Sequence, residues 1–228
     1  MNTTQKKIFI EKEADAWFER SISAIDTFNG DEEVIYPIIK RYNLQPTSIL
    51  EIGCSAGHRL AHLKEKFPNA SICGIEPSKK AIEYGKKKFH LADKEIIQGT
   101  ADSLDQFDDA SFDLIIVGFV FYVIDRDLLF AAIHHIDRLL KNKANLITID
   151  FFSISPIRNP YHHVKDIEMY SYKQRYEDIF VASHAYHLIA KDSFSFNNHQ
   201  HSDDDNFHNN YCVVLLKKDN EQAYIYKR

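Results

Sequence analysis

The chain has little cysteine, no excess of basic residues and no long apolar run. Its three cysteines, Cys54, Cys73 and Cys212, lie far apart and form no C-x-x-C motif. This argues against a disulfide framework and predicts buried free thiols. The formal net charge of −5 argues against a dedicated nucleic-acid binder. The longest apolar run, residues 114–124, is too short to span a bilayer.

The first residues lead into a charged helical segment and lack the apolar core of a signal peptide. We therefore expect a cytoplasmic location. A hydrophobic share of 44% in 228 residues is typical of a globular protein. We predict one domain over 1–228, with a helical cap (1–45), a ligand-binding core (46–152) and a C-terminal part on the acceptor side (153–228).

Short apolar segments alternate with amphipathic helical segments through residue 151. This alternation predicts an α/β fold with a buried parallel sheet and helices on both faces. Residues 153–172, rich in Tyr, His, Pro and Asn, are predicted to form a long loop before a helix over 173–181. Two terminal strands, 185–196 and 211–217, predict an antiparallel pair at one sheet edge.

The most informative segment runs from Ser48 to Gly57, where an apolar strand ends in Glu51 and breaks into a glycine-punctuated turn. A second acid, Glu76, ends the next apolar run. A strand, a glycine turn, a helix and a strand that ends in a carboxylate form a nucleotide-binding unit. The turn allows backbone N–H groups to approach a ligand, and the carboxylate suits two ribose hydroxyls. This spacing fits either NAD or S-adenosylmethionine (SAM).

The glycine pattern distinguishes the two cofactors. A dinucleotide fingerprint needs a third glycine, but the run here is Gly53-x-x-x-Gly57 followed by His58. The spacing from Glu51, acid-x-Gly-x-Ser-x-Gly, resembles motif I of the class I SAM-dependent methyltransferases. Further segments that resemble the family follow in order, and the resemblance covers residues 48 to about 151; these segments are 76–78, 99–102, 111–115 and 118–119.

The resemblance implies a Rossmann-like, seven-stranded, mostly parallel sheet with helices on both faces and an antiparallel C-terminal strand pair. It implies that SAM is the cofactor and that Glu76 holds its ribose. Thr100 or Asp102 would face the adenine amine of SAM. The chain at Gly118-Phe119 would run past the methionine end of SAM. The cofactor-binding residues expected in this way are Trp17, Arg20, Glu51, Gly53, Cys54, Ser55, Gly57, Glu76, Pro77, Thr100, Ala101, Asp102, Gly118 and Phe119.

Two residues in that set lie outside the strand–helix core. Related methyltransferases often cover the cofactor with an N-terminal helix, so Trp17 and Arg20 are included, with Arg20 as a partner for the SAM carboxylate. The alternative is that Trp17 packs against the core and Arg20 is solvated. Cys54 is expected to contribute its backbone and not a nucleophile.

The segment after the fifth strand should lie at the carboxyl edge of the sheet, where ligands bind in such folds. His162 or His163 could deprotonate an acceptor, because imidazole titrates near neutral pH, and Tyr172 could orient it. These three residues are the candidate catalytic residues. The alternative is a polar connection held by its own hydrogen bonds. The histidines near the C-terminus match no zinc pattern, so no metal site is expected.

The sequence thus predicts methyl transfer from SAM to a small polar acceptor, on oxygen or nitrogen, by a monomer or homodimer. No nucleic-acid or membrane partner is expected. Two alternatives stay open: a non-catalytic SAM-binding or nucleotide-binding protein, and an NAD(P)-dependent oxidoreductase.

Overall fold

A computed structural model describes residues 4–165, 168–202 and 210–221. Its helices are α1 (Gln5–Ile8), α2 (Ala14–Asp26), α3 (Ile35–Arg41), α4 (His58–Lys66), α5 (Lys79–Phe89), α6 (Leu129–Leu139) and α7 (Glu177–Val181). A π-helical turn, Phe9–Glu13, joins α1 to α2, and a 3₁₀ turn, Arg126–Leu128, precedes α6. The strands are β1 (Ser48–Ile52), β2 (Ser71–Glu76), β3 (Ile96–Gln98), β4 (Phe112–Gly118), β5 (Leu140–Phe151), β6 (Ile157–Pro160), β7 (Tyr170–Lys173), β8 (Tyr186–Ser195) and β9 (Asn210–Lys218).

Seven strands form one sheet in the order β3-β2-β1-β4-β5-β9-β8. The first five are parallel, and β9 and β8 add to β5 in antiparallel fashion. The predicted α/β fold class, with its seven-stranded, mostly parallel sheet and antiparallel C-terminal pair, is confirmed. The strand order reverses direction next to β1, and the cleft at the carboxyl end of such a sheet is where open α/β folds bind ligands.

Two apolar clusters cover the two faces of the sheet. One packs α6 and α7 through residues such as Ile136 and Phe180, and the other packs α3 and α4 through residues such as Ile38 and Leu63. Every residue of β1 is buried, as expected for a central strand with helices on both faces.

The prediction of a long loop over 153–172 is wrong. Part of this segment, β6 and β7, forms a separate two-stranded antiparallel sheet that pairs Ile157 with Lys173 and Pro160 with Tyr170. The predicted helix over 173–181 is correspondingly shorter, because Lys173 belongs to β7 and the helix begins at Glu177. Of the segment between the two terminal strands, residues 203–209 lie outside the described residues.

Candidate active site

A cavity of about 280 Å³ opens at the carboxyl ends of β1, β2 and β4, beneath the N-terminal helices. We call it the central cavity. The sheet side contributes the turn after β1, the acid at the end of β2, the turn after β3 and the loop after β4. The N-terminal segment covers it with Lys6, Phe9, Ile10, Ala14 and Trp17.

Glycine is required at the floor of the central cavity. Gly53 has φ of 77°, a backbone conformation that other residues adopt only with strain. A Cβ at this position would lie 2.4 Å from Val120 Cγ2 and 2.8 Å from the carbonyl oxygen of Gly118. The turn after β1 therefore presents bare backbone to the cavity, which is the arrangement that close approach to a ligand needs.

Gly57 serves a different purpose, because it does not line the central cavity. It has φ of 70° at the start of α4, and a Cβ there would lie 2.4 Å from Leu91 Cδ1. Its role is to let the helix begin against the segment that precedes β3.

Glu76 joins the turn to the end of β2. Its Oε2 accepts a hydrogen bond from the Ser55 backbone N–H at 2.8 Å, and its Oε1 accepts one from the Ser78 N–H at 2.9 Å. Burial raises the pKa of Glu76 to about 7, although these two backbone donors oppose the rise. Each carboxylate oxygen keeps a further lone pair, so Glu76 can accept ligand hydroxyls while it holds the turn.

Glu51 lies behind the central cavity and does not line it. It forms an ion pair with Arg59, whose other guanidinium nitrogen lies 2.8 Å from Glu33 Oε1. Burial opposes the charge on Arg59, but the two carboxylates outweigh it and raise its pKa above the ordinary range. Arg59 itself lines the cavity and lies 3.5 Å, through Nη1, from the position of a Cβ on Gly118.

Arg59 and His58 are site residues that were not predicted from the sequence. Both belong to the first turn of α4, directly after the glycine turn, and both line the central cavity. Burial, with Arg59 nearby, lowers the pKa of His58 to about 3, so its imidazole is neutral. Their position in the first helical turn after a ligand-binding loop was the signal that could have identified them.

The N-terminal segment is fastened across the cavity by α1. The Gln5 side-chain amide donates to the carbonyl oxygens of Val123 (2.7 Å) and Tyr170 (2.8 Å) and accepts from the Tyr170 N–H (2.9 Å). Lys6 Nζ lies 2.7 Å from Asp102 Oδ2, and the Lys6 backbone N–H donates to Asp125 at 2.8 Å. Asp102, one of the two residues expected to face the adenine amine, thus forms an ion pair with a lysine.

An apolar and aromatic wall follows β4. Phe119, at φ of 52°, lines the central cavity and packs against Phe151 at 5.2 Å between ring centroids. Tyr122 also lines the cavity and meets Phe151 at 5.1 Å. Phe121, the other aromatic residue of this loop, instead packs against Tyr176 in the core.

Most of the expected cofactor residues meet at the central cavity, and three do not. Those that line it are Trp17, Gly53, Cys54, Ser55, Glu76, Pro77, Thr100, Ala101, Asp102, Gly118 and Phe119. Glu51 and Gly57 lie behind the lining. Arg20 forms an ion pair with Glu13 on the adjoining π-helical turn and is partly exposed.

The candidate catalytic residues lie away from the lining of the central cavity. His162 and His163 are exposed, and their rings contact each other in a tilted arrangement with centroids 3.9 Å apart. Partial burial, with His162 and Arg20 nearby, lowers the pKa of His163 below its ordinary value. The Tyr172 ring lies under the Arg126 guanidinium at 4.1 Å. Their catalytic roles stay predictions.

Within the described ranges, no group of three or more His, Cys, Asp or Glu side chains is arranged to hold a metal ion. No helix in the same ranges has the length and apolar character that crossing a membrane requires. Cys54, Cys73 and Cys212 are buried free thiols.

Comparison with known proteins shows similarity to methyltransferases. Residues 49–143 match the family model described as a methyltransferase domain. The chain is 33% identical over 108 residues to a demethylmenaquinone methyltransferase from Thermotoga maritima. That match covers 47% of this chain and 44% of the relative, so the chain spans less than half of it.

Solved structures agree with the fold. A SAM-dependent methyltransferase from Methanosarcina mazei superposes with a TM-score of 0.63 at 17% identity, covering 82% of this chain and 99% of that one. A Burkholderia thailandensis 1,6-didemethyltoxoflavin-N1-methyltransferase, solved with S-adenosylhomocysteine, gives a TM-score of 0.66 at 12% identity, covering 96% and 92%. The resemblance to class I SAM-dependent methyltransferases, and SAM as their cofactor, are confirmed by these comparisons.

The residues of the central cavity fit SAM. Gly53 lines the cavity with backbone alone, because a Cβ there would collide with Val120 and with the Gly118 carbonyl oxygen. Ser55 Oγ, His58 Nδ1 and Arg59 Nε are buried and, within the described part of the chain, have no hydrogen-bond partner. Buried polar atoms are ordinarily paired, and a ligand with an amino-acid tail would supply partners for such atoms.

Proposed function

We propose that the chain transfers a methyl group from SAM to a hydroxyl or amino group of a small molecule. One observation carries this proposal: a single cavity combines bare backbone at Gly53, a carboxylate at Glu76, a turn around Asp102 and an aromatic wall at Phe119 and Tyr122. These are the features needed by an amino-acid tail, a ribose, an adenine and a sulfonium centre, respectively.

SAM supplies an activated methyl group on a positively charged sulfur. The turn from Gly53 to Ser55 and the guanidinium of Arg59 would hold its amino-acid tail, and Glu76 would hold its ribose hydroxyls. The aromatic faces of Phe119 and Tyr122 would lie near the sulfonium, because such faces attract cations. An in-line displacement needs no protein nucleophile, so these residues act by positioning the reactants and excluding water.

The acceptor side of the cavity favours a molecule with an apolar or aromatic body. Phe9, Phe119, Val120 and Val123 line the cavity beside Tyr122, and such a wall offers few hydrogen bonds to a uniformly polar molecule. A ring that carries one hydroxyl or amino group satisfies both the wall and Tyr122. The similar proteins named above, a demethylmenaquinone methyltransferase and a 1,6-didemethyltoxoflavin-N1-methyltransferase, support a small-molecule acceptor.

Isothermal titration calorimetry with SAM, S-adenosylhomocysteine and NAD tests the cofactor. We expect heat with the first two and none with NAD, because His58 stands where a dinucleotide site needs its third glycine. Saturable binding of NAD alone would contradict the proposal and favour an oxidoreductase.

Transfer of a radiolabelled methyl group from SAM to a panel of hydroxyl- and amino-bearing aromatic molecules tests the reaction. Labelled product is expected from at least one of them. A Gly53→Val variant should give none, because its side chain would collide with Val120 and the Gly118 carbonyl oxygen and distort the turn after β1. SAM binding without labelled product across the panel would instead favour the non-catalytic SAM-binding alternative.

A further inference from the structure

An ionic cluster of three side chains joins the segment before β1 to the wall of the central cavity. The Arg59 guanidinium pairs with Glu51 through Nη1 and with Glu33 through Nη2, the latter at 2.8 Å. The side chains of Arg59, Glu51 and Glu33 are 11%, 1% and 17% exposed, respectively. We call these three residues the cap cluster. Because Arg59 lines the cavity, the charge of the cluster acts at the cavity wall.

Glu33 comes from outside the ligand-binding core. It precedes α3 and belongs to the predicted helical cap. Its Oε2 accepts the Ile35 backbone N–H at 2.9 Å, and its Oε1 accepts a hydrogen bond from Arg59. The first contact supports the start of α3. The second places another carboxylate on a guanidinium that Glu51 alone would neutralise.

The central cavity has an excess of negative charge. In the cap cluster, two carboxylates share one guanidinium. The other strongly basic residue of the lining, Lys6, is already paired with Asp102. Glu76 also lines the cavity and accepts two backbone N–H groups, and no basic side chain of the described residues forms an ion pair with it. A cationic ligand would balance this excess.

The pKa values of the two most buried carboxyl groups reflect the same excess. Burial raises the pKa of Glu51 to about 7; Arg59 opposes this rise and Glu33 adds to it. Burial also raises the pKa of Glu76 to about 7, and the charge of Glu51 adds to that rise. A nearby positive charge favours the ionised form of a carboxyl group, so a cation and these carboxylates stabilise each other.

The cap cluster lies where the proposed function places the amino-acid tail of SAM. Arg59 Nη1 lies 3.5 Å from the position of a Cβ on Gly118, which lines the cavity at the end of β4. Glu51 Oε2 and Arg59 Nε are buried and have no hydrogen-bond partner within the described ranges. In SAM a short methylene chain joins the tail to the sulfonium, so the sulfonium binds near this cluster.

We propose that Glu33 and Glu51 shift the binding preference of the central cavity toward the cationic cofactor SAM and away from its product, S-adenosylhomocysteine. This inference rests on the proposed methyl transfer. The methyl carbon bonds to the acceptor, the carbon–sulfur electron pair stays on sulfur, and the acceptor proton leaves to solvent. The sulfonium thus becomes an uncharged thioether while the cap cluster keeps its negative charge, which favours exchange of the product for a new SAM molecule.

The first arm of the test is calorimetry with SAM and with S-adenosylhomocysteine at pH 7.5, on wild type and Glu33→Gln. Glutamine keeps an oxygen that can accept the Ile35 N–H and removes the charge. We expect the affinity for SAM relative to that for S-adenosylhomocysteine to fall at least threefold in the variant, since charges act strongly where the effective dielectric constant is about 20. Glu32→Gln, at the exposed neighbouring position, should keep the wild-type ratio.

The ratio distinguishes this role from a structural one. If Glu33 only supported α3 and the orientation of Arg59, its loss would weaken both ligands alike and leave the ratio unchanged. A wild-type ratio in Glu33→Gln would therefore overturn the proposal, whatever happens to the separate affinities.

The second arm uses sinefungin, which carries an amino group, protonated at this pH, in place of the methylated sulfur. Its affinity relative to that of S-adenosylhomocysteine should also fall in Glu33→Gln, because the charge and not the methyl group is the cause. A loss for SAM without a loss for sinefungin would overturn the proposal.

Glu51→Gln is the second variant and should lower both ratios as well. If Glu51→Gln fails to fold, Glu33→Gln alone decides, because Glu33 is the more exposed of the two carboxylates. Failure of wild-type protein to bind either SAM or S-adenosylhomocysteine would reject the methyltransferase proposal itself. Binding of both ligands with ratios that the variants leave unchanged would reject only the role of the cap cluster.

Discussion

Glu76 accepts the backbone N–H of Ser55 at 2.8 Å, and this bond ties the end of β2 to the glycine turn after β1. The same carboxylate accepts the Ser78 N–H through its other oxygen. The Glu76 side chain therefore fixes the shape of the turn after β1, holds the backbone just before α5 and faces the central cavity.

Glu76→Gln should lower both stability and SAM affinity. The amide has one acceptor oxygen, so its NH₂ group would face either the Ser55 or the Ser78 N–H, at a cost of about 1–3 kcal/mol. Loss of the charged acceptor for the ribose should weaken SAM binding at least tenfold. Chemical denaturation and calorimetry measure the two effects. Glu83→Gln, an exposed substitution on α5, is the control, and equal behaviour of the two variants would contradict the role of Glu76.

Gly85→Ala should destabilise the protein although Gly85 lies within a helix. Alanine ordinarily stabilises a helix interior by about 1 kcal/mol relative to glycine. Here a Cβ would lie 2.2 Å from the carbonyl oxygen of Ala56, so α5 would have to move away from the glycine turn. We expect a lower midpoint in chemical denaturation and weaker SAM binding. A more stable Gly85→Ala protein would show that the contact between α5 and the glycine turn tolerates a Cβ.

The parallel half of the fold could be predicted from the sequence, because buried strands and amphipathic helices have distinct periods. The β6–β7 hairpin could not, because its strands are short and lack a buried face; Arg158 and Tyr172 pair across it while both stay partly or fully accessible. The two carboxylate partners of Arg59 could not be predicted either. Glu51 can be recognised in the motif. Glu33 precedes β1 in the sequence, and only folding brings it to the Arg59 guanidinium that also pairs with Glu51.

Gln5→Ala should loosen the N-terminal segment. Gln5 makes three hydrogen bonds that join α1 to the loop after β4 and to β7. Their removal leaves the buried Val123 carbonyl oxygen and the partly buried Tyr170 carbonyl oxygen without a protein partner or bonded to water. Hydrogen exchange followed by mass spectrometry should show faster exchange over residues 5–26 and no change in β1 and β4. Gln45→Ala, at an exposed site near β1 with a single 3.2 Å bond to Asn43, should leave this segment as it is in wild type.

Asp150 should make stability depend on pH. Burial raises its pKa to about 7, against the opposing bonds from the Phe151, Phe121 and Tyr122 N–H groups, whereas an unfolded aspartate titrates near pH 4. Between these values the folded state holds a proton that the unfolded state has lost. This contribution to stability is therefore complete below about pH 4 and disappears as pH rises through about 7.

A comparison with Asp150→Asn isolates this contribution, because His58, with a pKa lowered to about 3, gives a slope of the opposite sign in both proteins. The stability of wild type relative to the variant should fall by about 2 kcal/mol or more between pH 5 and pH 8. Urea denaturation at pH 5, 6, 7 and 8 measures it. Asp127→Asn, at an exposed position, should show a constant difference, and a constant difference for Asp150→Asn as well would refute the assignment.

Lys173→Met should stabilise the protein. Lys173 is 8% exposed, and its Nζ lies 4.8 Å from the centroid of the Phe151 ring. No carboxylate in the described ranges offsets its charge, and burial lowers its pKa. Methionine keeps the length of the side chain and removes the desolvation cost of the buried ammonium. This gain should exceed the loss of a cation–π contact of about 0.5–2 kcal/mol.

The gain in stability should depend on pH in a defined direction. The buried lysine loses its proton at a lower pH in the folded than in the unfolded state, so wild type gains stability as pH rises above the folded pKa. The advantage of Lys173→Met, expected to be at least about 1 kcal/mol at pH 7, should therefore shrink toward pH 10. Thermal and urea denaturation at both pH values check this, with Lys87→Met on the exposed side of α5 as the control. A destabilised Lys173→Met protein at pH 7 would show that the ammonium is held by a favourable interaction instead.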